Sequence, residues 1–105
     1  MANPWRGEVS LWINGESHVM RLTLGALAEL ETTLDEQSLV ALVERFEANR
    51  FSSRDVIALL EAGLQGGQSA LPKGALMDAE IAGGPLAAAR AAAELLARAF
   101  VLPET

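Results

Sequence analysis

His18 is the only histidine in the chain, and there is no cysteine. With no second imidazole and no thiolate, His18 has nothing to complete a metal shell or a nucleophile–base pair, so a structural histidine is expected. Carboxylates recur at helical spacing, Glu44 with Glu47 and Asp78 with Glu80. General acid–base work needs such pairs inside a cleft that shifts their pKa values; on exposed stripes they are solvated charges. The glycines of Gly63-Leu64-Gln65-Gly66-Gly67 suggest a phosphate loop. They follow a helical stretch instead of a strand and lack the Lys-Ser/Thr of a P-loop, so helix termination is the expected role. No catalytic, cofactor-binding or metal-ligating residue is expected, and the chain does not read as an enzyme.

Composition points the same way. The chain has 105 residues, half of them apolar, enough for one domain and one core. Fourteen acids against eight bases give a net charge of −6. That balance repels phosphate backbones, so nucleic acid is not an expected partner. Arg45, Arg50 and Arg54 are interleaved with Glu44, Glu47 and Asp55, which leaves no basic helix face for a groove. No run approaches the roughly 18 apolar residues that span a bilayer, and Met1 to Gly7 lack an apolar signal core. The absence of cysteine suits a reducing compartment, and a cytoplasmic location is expected.

The expected fold is α+β, a single domain over 1–105 in which an N-terminal β-hairpin packs on a compact, mostly α bundle of about five helices. Asn14-Gly15 between EVSLWI and HVMRLT predicts a hairpin over 8–23, because this dipeptide suits the positive φ angles of a type I′ turn. Period-two alternation puts Val9, Leu11, Ile13, His18, Met20 and Leu22 on the buried face. Helices are expected at about 24–34, 39–48, 53–65, 74–82 and 85–101. Thr23 caps the first, whose stripe is Leu24, Leu27, Leu30 or Glu31, and Leu34. The second carries Leu39, Leu42, Val43 and Phe46. Ser52 with Asp55 forms a capping box for the third, with Val56, Leu59, Leu60 and Leu64 inward. Gly63 is expected at a tight helix contact, so that Gly63→Leu overpacks. Leu76, Met77 and Ile81 are the apolar contacts of the fourth. Pro85 starts the fifth, whose only charges are Arg90, Glu94 and Arg98, spaced by four as mutually supporting ion pairs. A helix apolar around most of its circumference is either enclosed by its own fold or covered by a partner.

Trp12 breaks the hairpin pattern. Together with Val19 it falls on the face that otherwise carries Glu8, Ser10, Ser17 and Arg21. Large aromatics on polar faces anchor interfaces, so Trp12 and Val19 are expected partner-binding residues, with Phe100, Val101 and Leu102 at the far end of the chain. The competing expectation is that Phe100-Val101-Leu102 folds back and covers Trp12.

Four segments carry a family resemblance: Asn3-Pro4-Trp5-Arg6-Gly7-Glu8, the run Leu22-Thr23-Leu24-Gly25-Ala26-Leu27-Ala28-Glu29-Leu30-Glu31, Arg50-Phe51-Ser52-Ser53-Arg54-Asp55, and Glu61-Ala62-Gly63-Leu64-Gln65-Gly66-Gly67. In this order they resemble the small tail proteins of gene transfer agents and related tailed phages, a family of tail-assembly chaperones whose members are also labelled tail-tube proteins. The resemblance implies a cofactor-free assembly chaperone that holds apolar helices of the tail tape-measure protein, tube subunits or both before polymerisation, with self-association possible. The alternative it implies is a structural tail or tail-tube component retained in the particle. A more remote resemblance is to acyl carrier proteins, through Gln37-Ser38-Leu39 in place of their Asp-Ser-Leu; Ser38 as an ordinary N-cap is the simpler role.

Overall fold

The structure is a computed structural model that describes residues 7–33, 39–69, 71–72 and 74–99. Strands β1 (Val9–Ile13) and β2 (Glu16–Met20) form an antiparallel hairpin in which Val9 faces Met20 and Ile13 faces Glu16. This is the register of a two-residue loop. Asn14 and Gly15 close it with φ angles of 53° and 82°, the left-handed pair that a type I′ turn requires. Val9, Leu11, Ile13 and Met20 are buried as the alternation demands, while His18 and Leu22 are half-buried at the margin of the same face.

Four α-helices follow among the described residues: α1 (Leu24–Thr33), α2 (Leu39–Glu47), α3 (Ser53–Gly66) and α4 (Gly84–Ala99). Helix α3 is the hub and packs against α1, α4 and β2. Its inward residues Val56, Leu59, Leu60 and Leu64 are all buried. Its start is a complete capping box, in which the Ser52 hydroxyl accepts from the Asp55 backbone N–H and the Asp55 carboxylate accepts from the Ser52 N–H. Thr23 Oγ1 accepts from the Ala26 N–H at 3.1 Å and so caps α1. The buried stripe of α1 differs from the expected one. Ala26 and Leu30 are buried and Leu24 is 86% exposed, because α1 packs on α3 through a face turned away from its first residue. In α2, Leu42 is buried, with Leu39, Val43 and Phe46 packed on the core. The Phe46 ring stacks on Phe51 with centroids 4.4 Å apart.

The helix expected over 74–82 is not formed, so the described residues hold four α-helices instead of about five. A single 3₁₀ turn spans Ala75–Met77, and the chain then extends to pair with β1. The Asn14 N–H donates to the Glu80 carbonyl, the Ala82 N–H to the Trp12 carbonyl, and the Glu80 N–H to Asn14 Oδ1. These long-range bonds need residues 80–82 extended. They cover the exposed edge of β1 beside the turn, where unpaired backbone groups would otherwise remain. Ile81 pairs with Ile13 through this bridge, whereas Met77 stays 68% exposed.

Gly63 lies inside α3, where an added Cβ would stand 2.8 Å from Leu95 Cδ1 and 3.0 Å from Met20 Cβ. This is the tight junction of α3, α4 and the hairpin. Gly63→Leu is expected to lower stability by about 1 to 3 kcal/mol, visible as a reduced midpoint in thermal unfolding; an unchanged midpoint would contradict the packing.

Candidate interaction surface

The candidate surface begins at the hairpin. Trp12 is 54% exposed on the outward face of β1, opposite Ser17 and diagonal to half-buried Val19. Its backbone is fixed by the Ala82 N–H on its carbonyl, so the indole projects from a braced edge. Phe100, Val101 and Leu102 lie outside the described residues. Other large exposed apolar side chains are Leu24, Val40, Met77 and Leu86. Of these, Leu86 lies in the first turn of α4 and lines a groove with Ser10 and Leu11 of β1. Sequence reasoning did not single it out, although a helix apolar all round was the available signal.

Helix α4 divides its circumference between two tasks. Ala88, Ala91, Ala92, Leu95 and Leu96 are buried against the hairpin and α3, while Leu86, Arg90, Ala93, Glu94 and Ala97 are exposed. The expected chain of three ion pairing residues forms only in part. Arg98 Nη2 donates to Glu94 Oε2 at 3.1 Å, and Arg98 Nη1 donates to the Glu8 carbonyl at the start of β1. Arg90 makes no ion pair among the described residues. The tertiary contact to Glu8 draws Arg98 toward the hairpin and takes Glu94 with it.

His18 Nδ1 sits 3.0 Å from Ser69 Oγ, which also accepts the Leu71 N–H, so the ring ties the loop after α3 to β2. Its buried Nε2 makes no hydrogen bond among the described residues and lies 3.9 Å from Glu16 Oε1. Glu44, Glu47, Asp78 and Glu80 are exposed. Among the described residues no group of three or more His, Cys, Asp or Glu could hold a metal ion, and no helix is long and apolar enough to cross a membrane. Ser38 lies outside the described residues.

Two features escaped the sequence. Arg45 and Asp55 form a two-pronged pair, with Nε to Oδ2 at 3.1 Å and Nη2 to Oδ1 at 2.9 Å. Burial alone would push the Asp55 carboxyl up; the hydrogen bonds from Arg45 and Ser52, with the Arg45 charge, outweigh it and hold the group below the ordinary carboxylate value. Gly66 and Gly67, expected only to end α3, are sites of backbone contact. A Cβ at either position would fall 1.9 Å from the Arg21 carbonyl oxygen or 2.0 Å from that of Val19.

Residues 6–101 match the sequence model of a family described as phage tail tube protein, GTA-gp10. The chain belongs to that family. Comparison with the curated proteins and with the solved structures gave no match. Family membership makes this a tail protein of the gene transfer agent and tailed-phage type, for which contacts with other tail proteins are the relevant chemistry. The family description names the tube, and so favours a structural tail component over the assembly chaperone expected first.

Proposed function

We propose that the chain is a non-enzymatic structural component of phage-like tails, of the gene-transfer-agent kind, which binds other tail proteins through exposed apolar side chains of the hairpin. The observation that carries this reading is the match of residues 6–101 to a tail tube family. Assembly would take place in the bacterial cytoplasm, without a cofactor and without direct contact to nucleic acid or membrane; the net charge of −6 supports the last point.

A second reading is favoured by a specific observation. The described residues contain one sheet, of two strands, and four α-helices, which leaves little strand for pairing between subunits. A chaperone that holds apolar helices of the tape-measure protein before tube subunits polymerise is compatible with that composition. Mass spectrometry of purified particles separates the two. A tube component is recovered at high copy per tail; a chaperone is present in the producing cell and missing from the particle.

In both cases Trp12 is the proposed anchor, with Val19 beside it. Because the indole is more than half exposed, Trp12→Ala should change stability by less than about 1 kcal/mol. Removal of an interface anchor should weaken capture of the tail partner by about 2 kcal/mol or more. Pull-down of tail proteins from the producing cell, together with thermal unfolding of the same variant, checks both. A large stability loss with capture retained by the folded fraction would remove Trp12 from the interface.

A further inference from the structure

The outward face of α4 has the features of a self-complementary contact. At 100° per residue, Leu86, Arg90, Ala93, Glu94 and Ala97 fall on one stripe centred near Arg90, and all five are exposed, Leu86 at 63%. The stripe stands as a ridge between two grooves. One, of about 430 Å³, runs between α2 and α4 and includes Val43, Phe46, Ala93 and Ala97. The other, of about 340 Å³, lies between β1 and α4 and includes Ser10, Leu86 and Ala87. A ridge with a groove on each side is the shape that receives another helix.

Charge specifies which helix. Arg90 and Glu94 are of opposite sign and four positions apart, and Arg90 has no ion-pair partner among the described residues. When a second copy of α4 is laid antiparallel with its two-fold axis at position 92, Arg90 faces the partner's Glu94 and Glu94 faces the partner's Arg90. The Glu94 carboxylate, already bonded to Arg98, has acceptor sites left for this second cation. The same axis brings Leu86 opposite position 98 of the other copy, one residue from the partner's Ala97, at the α2–α4 groove. One axis therefore satisfies two independent observations, the unpaired cation and the exposed leucine.

We propose that this chain forms an isologous antiparallel dimer through α4, in which Leu86 of each copy fills the α2–α4 groove of the other and Arg90 and Glu94 exchange ion pairs across the axis. The contact is defined by residues of α2 and α4 and is independent of whether the chain stays in the tail or leaves it.

Sedimentation equilibrium of the purified full chain tests this at about 0.15 M salt, where repulsion between two acidic copies is screened beyond about 8 Å and contact pairs persist. Wild type should show a concentration-dependent dimer, and Leu86→Glu, Arg90→Glu and Glu94→Arg should each weaken it by about tenfold or more, with circular dichroism spectra unchanged. The decisive arm mixes two single variants. Arg90→Glu supplies two acids and Glu94→Arg two bases, so the mixture should associate more tightly than either variant does alone. A wild-type monomer up to about 100 μM, or single variants that dimerise as well as wild type, would overturn the proposal and assign the face to a different tail protein. A mixture of folded single variants that stays monomeric would overturn it as well.

Discussion

Gly67→Ala and Gly66→Ala will each lower stability by about 3 kcal/mol or more, at or beyond the top of the usual range for overpacking. The reason is the nature of the obstacle. The new methyl would stand 1.9 Å from the Arg21 carbonyl oxygen at position 66 and 2.0 Å from the Val19 carbonyl oxygen at position 67. Both obstacles are backbone, Val19 within β2 and Arg21 just after it, and backbone has no rotamer to change. Relief requires β2 to withdraw from α3, which would break the 2.9 Å bond from the Arg21 N–H to the Gly63 carbonyl and unpack Met20, now 0% exposed. Helix propensity acts the other way at Gly66, favouring alanine by about 1 kcal/mol. The clash is larger and sets the sign. At Gly67, φ is −86°, a value that alanine adopts freely, so the penalty there is one of space and not of backbone strain. Thermal unfolding should show a midpoint lower by at least about 10 °C for each variant. Gly25→Ala is the control. It lies in α1 with nothing nearer to its Cβ than Thr23 Oγ1 at 3.9 Å, and should gain about 0.5 to 1 kcal/mol. If Gly66→Ala and Gly25→Ala behave alike, β2 does not lie against the end of α3.

Asp55→Ala will cost about 3 kcal/mol, the lower end of the range for breaking a buried pair, because Arg45 keeps 26% of its side chain exposed and can rehydrate. Asp55 is 6% exposed and serves two elements at once. Its carboxylate accepts both prongs of Arg45 from α2 and the Ser52 N–H at the start of α3, and so joins the two helices across the intervening turn. Asp55→Asn keeps the shape and one acceptor oxygen and removes the charge, so a smaller loss is expected. The pH dependence has a definite sign. The folded carboxyl titrates below its ordinary value, so the unfolded chain binds the proton first as pH falls. The stabilisation is fully present above the unfolded carboxylate value of about 4, and is lost as pH falls through the lower folded value. Urea unfolding from about pH 5 to pH 2 should therefore show a steeper acid decline for wild type than for Asp55→Asn. Parallel declines would show that Asp55 contributes no charge-dependent stability.

Local chemistry made much of the architecture readable. Asn14-Gly15 defines the turn and the register, and alternation then assigns Val9, Leu11, Ile13 and Met20 to the core, because side-chain direction in a strand depends only on parity. Thr23 and the Ser52–Asp55 box mark helix starts through bonds made within three residues of sequence. The polar setting of Trp12 and the apolar circumference of α4 were likewise visible before any contact was known, and both bear on the interaction surfaces proposed. Tertiary structure decided the rest. Residues 74–82 have helical spacing, yet Glu80–Ala82 extend because the open edge of β1 offers backbone partners that no local pattern encodes. Leu24 and Ala26 exchange burial because the direction from which α3 approaches α1 is a property of the assembled fold. Gly66 and Gly67 look like helix terminators from the sequence, since a glycine needed for close approach and one needed to end a helix are the same letter; only the Arg21 and Val19 carbonyls beside them reveal the difference. Arg45 and Asp55 are ten residues apart with no periodic relation, and Arg90 loses its expected partner because Arg98 is drawn to Glu8, ninety residues away. In each case the determinant is a contact between distant parts of the chain, and sequence spacing carries no information about which distant groups will meet.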